Sequence, residues 1–184
     1  MNRSVQIATG LFDSRPFGFA QVAVIRTPFG EVVNVSGQVA WDVNRKIVGA
    51  GDIGRQLEKG LENLAVALAS VGATLNDVGS LRLYIKQDHL HESEAISGTL
   101  RAIFGENPPC ATWIGVPRLA NDAFLIEVEP SNIFLAGKQT VKSCYGVIGR
   151  HPQTRPSMSA LPPIADAGCR GQRVTFQQAY EYTP

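Results

Sequence analysis

At 184 residues the chain is long enough for one domain with a real core and short for two. A formal net charge of +1 supplies no general field for nucleic acid or an acidic membrane, and no apolar run approaches the roughly 18 to 20 residues of a membrane helix. The opening MNRSVQIATGLFDSRP carries no apolar signal segment, so a cytoplasmic protein is expected.

Residues 1 to 18 are rich in turn formers, and only Val5 to Ile7 invites a strand. Phe19 to Thr27 is an apolar run with β-branched members, Pro28-Phe29-Gly30 makes a turn, and Glu31 to Val39 returns as the second arm of an antiparallel hairpin. Inside that second strand stands Val35-Ser36-Gly37-Gln38. A glycine there marks either a bulge or close approach of another group to the backbone, or else simply the strand's end.

Asp42 to Gly51 reads as a loop and Asp52 as the N-cap of a long helix. Ile53, Leu57, Leu61, Leu64, Leu68 and Val71 recur at three and four residues and form one apolar stripe, closed by Gly72 as a left-handed cap. Arg55, Glu58, Lys59 and Glu62 make the solvated side, where the like charges of Glu58 and Glu62 are mildly unfavourable. Ser80 to Lys86 alternates strictly, Leu81, Leu83 and Ile85 facing one way and Arg82, Tyr84 and Lys86 the other. Asp88 then caps a second helix striped by Ile96, Leu100, Ile103 and Phe104 and ended by Gly105. His89 and His91 fall in its first turn, two apart and on different sides, which disfavours a metal pair.

Pro108 and Pro109 separate that helix from the last strands. Thr112 to Val116 forms one strand and Ala123 to Val128 another, broken by Pro117 to Asp122. Phe124, Ile126 and Val128 share one face; Glu127 and Glu129 stand on the other, where a carboxylate buried without a partner would be costly. The order β-β-α-β-α-β-β is an α+β layout in which two helices cover one face of a mixed sheet. The other face, bearing Tyr84 and Trp113, is left open, which predicts an oligomer.

After Leu135 the texture changes. Residues 131–184 hold six Lys or Arg against two acids and five of the eleven prolines, whereas residues 1–130 hold eleven Lys or Arg against fourteen acids. A domain over 1–135 is therefore expected, followed by a low-pattern, unstructured extension over 136–184. Cys110, Cys144 and Cys169 are odd in number and scattered. They fit neither a disulfide framework nor a zinc site and read as ordinary thiols.

The order of elements and the local motifs over about residues 5 to 134 together resemble the RidA family, also called YjgF/YER057c/UK114 and including the RutC-like proteins. The carriers are Phe19-Ala20-Gln21, Ser36-Gly37-Gln38, Gly49 to Gln56 leading into the helix with Asn63, and Gly72 to Val78. They continue with the strand ending at Asp88, Phe104 before the prolines, Ile114 to Leu119, and Ile126-Glu127-Val128-Glu129. The resemblance implies a chorismate-mutase-like fold assembled as a homotrimer, with ligand clefts between subunits and no cofactor or metal. It also implies hydrolysis of reactive 2-imino acids to 2-keto acids and ammonia. In the archetype an arginine forks onto the substrate carboxylate and a glutamate orients water.

Carried over residue by residue, the water-orienting glutamate is Glu127, but the arginine position is Ala111, which cannot bind a carboxylate. Phe19 keeps the aromatic ring of the N-terminal motif without its hydroxyl, Ser97 replaces an amide, and Trp113 occupies a place usually small. Ser36 and Gly37 remain where backbone can meet a ligand. Two functions are therefore expected in competition: an imine or enamine deaminase whose substrate lacks a carboxylate or finds another cation, Arg15 or Arg118, and a small-molecule-binding trimer without the deaminase reaction. An RNA-directed function is disfavoured, because the body is acidic and shows no Lys/Arg stripe with interleaved aromatics.

Overall fold

The computed structural model describes residues 2–136, and the expected extension over 136–184, with Cys144 and Cys169, lies outside the described residues apart from Ala136. Six strands form one sheet: β1 (Asn2–Gln6), β2 (Val22–Thr27), β3 (Gly30–Val35), β4 (Val78–Lys86), β5 (Cys110–Val116) and β6 (Ile126–Ala136). Two helices, α1 (Ile53–Ala69) and α2 (Ser93–Phe104), complete the domain. The strands lie in the order β1-β2-β3-β6-β4-β5, antiparallel except for the parallel β4–β5 pair. The α+β layout is thus as expected, with one addition: the run around Val5 forms an edge strand, shifted to Asn2–Gln6.

The α1 stripe packs as its spacing predicts, with Ile53, Leu57, Leu61, Leu64 and Leu68 essentially inaccessible against Leu81, Leu83, Ile85, Ile126 and Val128. Asp52 Oδ1 accepts the Arg55 N–H at 2.9 Å and caps the helix. At the other end Gly72 lies at φ +75°, and the Ala73 N–H reaches back to the Leu68 carbonyl at 3.0 Å, closing the C-terminus as a Schellman turn. Glu58 and Glu62 do not repel unrelieved: Arg55 Nη1 donates to both, at 2.6 and 3.1 Å, and Lys59 also reaches Glu62 at 3.1 Å.

Several boundaries differ from those read in the sequence. β2 begins at Val22, β3 ends at Val35 and β6 begins at Ile126. Asp88 does not cap α2; it lies in a short 3-10 turn over Gln87–His89, and α2 starts only at Ser93 after Glu92. His89 and His91 therefore precede the helix, where their rings stack with centroids 6.4 Å apart and His89 Nδ1 lies 2.5 Å from Glu92 Oε1.

Inward-facing residues normally recur every second position along a strand, but three neighbouring strands break this rhythm at the same level. In β4 Val78 and Leu81 both face the core; opposite them in β6 so do Ile133 and Pro130. Past the end of β3, Val35 and Gln38 do the same, and Gln38 pairs again with Val128. The local causes are legible: Asn132 sits in the left-handed region at φ 58°, Pro130 has no N–H to give the ladder, and Gly79 has no side chain. A Cβ on Gly79 would stand 2.9 Å from the Asn132 carbonyl oxygen.

Buried amides tie α1 to the residues entering β6 and to the loop after Gln38, and brace the 36–38 segment. Gln56, fully buried, donates from Nε2 to the carbonyls of Gly49 (3.1 Å) and Ala123 (2.9 Å) and accepts the Leu125 N–H at 2.9 Å. Asn63 Nδ2 donates to the carbonyls of Val39 and Trp41, each at 2.9 Å. Gln38 Nε2 donates to the Ser36 carbonyl at 2.7 Å and to Gln21 Oε1 at 3.1 Å. Among the described residues no buried side-chain N or O lacks a partner. Gln56→Leu keeps the volume but strands one N–H and two carbonyls, so it is expected to cost roughly 2–4 kcal/mol in urea unfolding; a loss under about 0.5 kcal/mol would show that water replaces the amide.

Candidate functional site

β6 presents Glu127 and Glu129 on the open face because their partners across β4 are Tyr84 and Arg82, while Val128 pairs with the inward Leu83. The facing expected for Ile126 to Glu129 holds, although the strand runs over Ile126–Ala136 rather than Ala123 to Val128. Gly37 stands on the same face, just beyond β3. A Cβ built there would collide with Glu127 Oε1 and lie 2.8 Å from Glu127 Cδ, so only glycine admits the carboxylate this close to the backbone. Both readings of Gly37 hold: β3 ends at Val35, and just beyond it the backbone admits Glu127 closely.

The loop carrying Phe19 is bound to the same place. Ser36 Oγ donates to the Ala20 carbonyl at 2.7 Å, the Ser36 N–H to the Gln21 carbonyl at 3.0 Å, and the buried Ser14 Oγ to the Phe19 carbonyl at 2.8 Å. Phe19 remains exposed, with its ring edge-on to Phe12 at 6.2 Å; Phe12 packs in the same manner on Trp41 at 5.1 Å, and Trp41 on the inaccessible Phe124 at 5.0 Å. This aromatic chain anchors an exposed ring to the core. Phe12 and Trp41 were not singled out from the sequence; their only signal was an aromatic in an otherwise polar turn region.

Phe19, Ser36, Gly37 and Glu127 are thus brought together, whereas Ser97, Ala111 and Trp113 are not brought to them. The parallel register pairs Ala111 with Leu81, Trp113 with Leu83 and Gly115 with Ile85, so these residues of β5 face the helix side of the sheet. A Cβ on Gly115 would accordingly meet Leu90, in the connection leading to α2. Trp113 therefore does not share the open face with Tyr84, contrary to the sequence reading; Thr112 and Ile114 do. Ser97 is half-buried on α2. β5 is the sheet's edge, so both groups become neighbours only if that edge meets another subunit.

Glu127 is half-buried, and no hydrogen bond contributes to its protonation. Burial first, and then the charge of Glu129, push its carboxyl above the ordinary 4.5. Glu129 is differently placed: Tyr84 O–H donates to its Oε2 at 2.5 Å and Arg82 Nη1 to its Oε1 at 3.3 Å. The Gly37 N–H finds no acceptor among the described residues. The two cations considered as replacement anchors are exposed and already paired, Arg15 with Asp13 at 2.8 Å and Arg118 with Asp122 at 3.2 Å.

Three comparisons bear on these features. The family model described as Endoribonuclease L-PSP matches residues 18–134. A RutC family protein of Pyrococcus abyssi is 33% identical over 100 residues, 54% of this chain and 76% of its own; one of Pyrococcus horikoshii is 31% identical over 100 residues, covering 54% and 77%. Among solved structures, a Rid-family protein of Yersinia pestis aligns at 34% identity with a TM-score of 0.51, over 71% of this chain and 97% of that one. A YjgF/YER057c/UK114 family member of Mycobacterium tuberculosis aligns at 25% identity with a TM-score of 0.55, over 70% and 97%. No helix among the described residues is long and apolar enough to cross a membrane.

A carboxyl whose folded pKa is raised contributes stability that is fully present below the unfolded value and is lost as pH rises through the folded value. At pH 7, then, wild type must ionise a half-buried acid that Glu127→Gln lacks. The variant is expected to unfold at higher temperature than wild type at pH 7, with the advantage shrinking to nothing below the ordinary carboxyl value of 4.5. A difference independent of pH would show that Glu127 is not under this strain.

Proposed function

The chain belongs to the RidA (YjgF) family, and on that premise we propose that it binds a small imine- or enamine-type metabolite in a cleft completed between subunits, where Glu127 orients water for hydrolysis. The observation that carries this reading is the placement of Glu127. Its carboxylate is half-buried, meets no protein donor among the described residues and lies against Gly37 where a Cβ would stand. A structural carboxylate in such a position would be expected to take a donor.

The chemistry asks for little more. Glu127 accepts a proton from water as the water oxygen bonds to the imine carbon, and the C=N π electrons move to nitrogen. The proton is returned to nitrogen, giving a carbinolamine; its hydroxyl proton then passes to the nitrogen as the C=O forms, the C–N bond breaks and ammonia leaves. A base with a raised pKa is better suited to both halves of that transfer than an ordinary carboxylate. The Gly37 N–H is available to hold an oxygen of the ligand, and Phe19 offers an aromatic wall.

Assembly is supported by what one subunit leaves uncovered: the β5 edge, the open sheet face, and the exposed Phe19, Trp113 and Phe134. A homotrimer is the assembly proposed, and it would let the Ala111–Trp113 edge of one copy approach the Glu127 face of the next. Because alanine replaces the carboxylate-binding arginine, and Arg15 and Arg118 are engaged elsewhere, the preferred ligand is one without a carboxylate. Turnover of 2-imino acids is expected to be weak or absent. Binding of a metabolite without turnover is the second reading, and the loss at position 111 is what favours it.

Ala111→Arg restores a planar cation at the edge, and restoring one partner of a charged hydrogen-bonded pair corresponds to about 2–5 kcal/mol, roughly thirtyfold to several thousandfold. A coupled assay with 2-iminopropanoate generated in place is expected to show that gain over the unmodified protein. Rapid turnover by the unmodified protein would remove Ala111 as the limiting position.

A further inference from the structure

The paired acids of β6 are unequal, and the inequality is built by β4. Tyr84 is the direct cross-strand partner of Glu127, yet its hydroxyl turns to Glu129 Oε2 at 2.5 Å. Arg82, the cross-strand partner of Glu129, closes on the other oxygen at 3.3 Å. Glu129 is therefore held from two sides by residues of one neighbouring strand, so its carboxylate has a fixed position on the sheet face. Glu127, two residues away on the same face, is held by nothing on that strand.

We propose that Glu129, clamped by Tyr84 and Arg82, is a positioning residue that governs the protonation of Glu127. A charge fixed one strand repeat away, on a partly desolvated face, interacts more strongly with Glu127 than a freely moving surface acid would, because it cannot swing into water. The remaining groups around Glu127 do not offer a competing source. From β4 come Tyr84, Arg82 and Lys86, whose Nζ is turned to the Asp122 carbonyl at 3.1 Å. The 36–38 segment contributes Ser36 and Gly37, neither charged, and β5 contributes Thr112 and Ile114 on this face. The Arg118–Asp122 pair belongs to the exposed loop before β6. The direction found for Glu127, upward with Glu129 as a contributor after burial, agrees with this arrangement, and the Tyr84 phenol is likewise raised, chiefly by its bond to Glu129.

The proposal rests on Glu127 being the reacting group of the cleft, but it is tested without turnover. In the full-length protein carrying 13C-labelled glutamate carboxyls, the Glu127 titration midpoint is followed by NMR in wild type, Glu129→Gln and Tyr84→Phe. Removing the acid is expected to lower the Glu127 midpoint; removing the phenol hydroxyl, which changes no charge but frees Glu129 to turn into water, is expected to lower it by less. An unchanged or raised midpoint in either variant overturns the proposal, and a merely structural Glu129 would leave it unchanged. Should Glu129→Gln fold poorly, Tyr84→Phe removes a single oxygen, and an unmoved or raised midpoint in it is decisive alone. Lowered midpoints with no hydrolysis in any variant would leave this control intact and remove the imine reaction instead.

Discussion

Three adjacent strands lose their two-residue rhythm at one level of the sheet, and the placement of the site depends on that shared slip. Had β6 kept its alternation from Ile133 backwards, Glu127 and Glu129 would point into the helix layer, into a core of Leu57, Leu61 and Leu83 where neither could be ionised. One extra residue between Pro130 and Ile133 restores them to the open face, and the matching slips in β4 and after β3 keep the ladders in register. The backbone strain is local. Asn132 takes the left-handed conformation, Gly79 makes room for it, and Ser80 Oγ meets Ser131 Oγ at 2.7 Å across the fault.

The helix layer holds the far side of this fault in place through polar contacts. Gln56 ties α1 to the residues entering β6, Asn63 ties it to the loop after Gln38, and Gly60 lets the helix approach until a Cβ would lie 3.3 Å from the Gln38 carbonyl oxygen. The Gln38–Val128 bridge, with N–H to carbonyl distances of 2.7 and 2.9 Å, is thereby pressed between helix and open face. Glu127 and Gly37 are the immediate neighbours of that bridge. Rigidity supplied from the core side allows an unpaired carboxylate on the other.

How much of this could be read from the sequence follows from which pattern each element obeys. The α1 stripe and the Leu81-Leu83-Ile85 alternation were legible because a single packing face fixes their period, and Glu127 and Glu129 were placed correctly from Phe124, Ile126 and Val128. Gly37 was legible as a special backbone position, although the carboxylate it accommodates was not. The face of Trp113 was misread because β5 takes its parity from a parallel pairing with β4, a non-local fact, and its own apolar residues fall at both parities. The start of α2 was misread because Asp88 has the chemistry of a cap but spends it in a 3-10 turn. The role of Gln56 as a buried tie was hidden, since a glutamine among Arg55 and Glu58 looks like part of a solvated face until the Gly49 and Ala123 carbonyls are seen above it.

One subunit therefore carries the expected site residues on two sides of its sheet: Glu127, Gly37 and Ser36 on the open face, Ala111 and Trp113 on the helix side of an edge strand. The proposed assembly brings these two sets of residues together around a solvent-filled space with Glu127 on its wall. A crystal structure of the assembled protein decides this. The Glu127 carboxylate is expected to face a cleft bounded by the β5 edge of a second subunit, with no protein donor on it and the Gly37 N–H free. A Glu127 carboxylate bonded to a neighbouring subunit's arginine or lysine in a dry interface would contradict it.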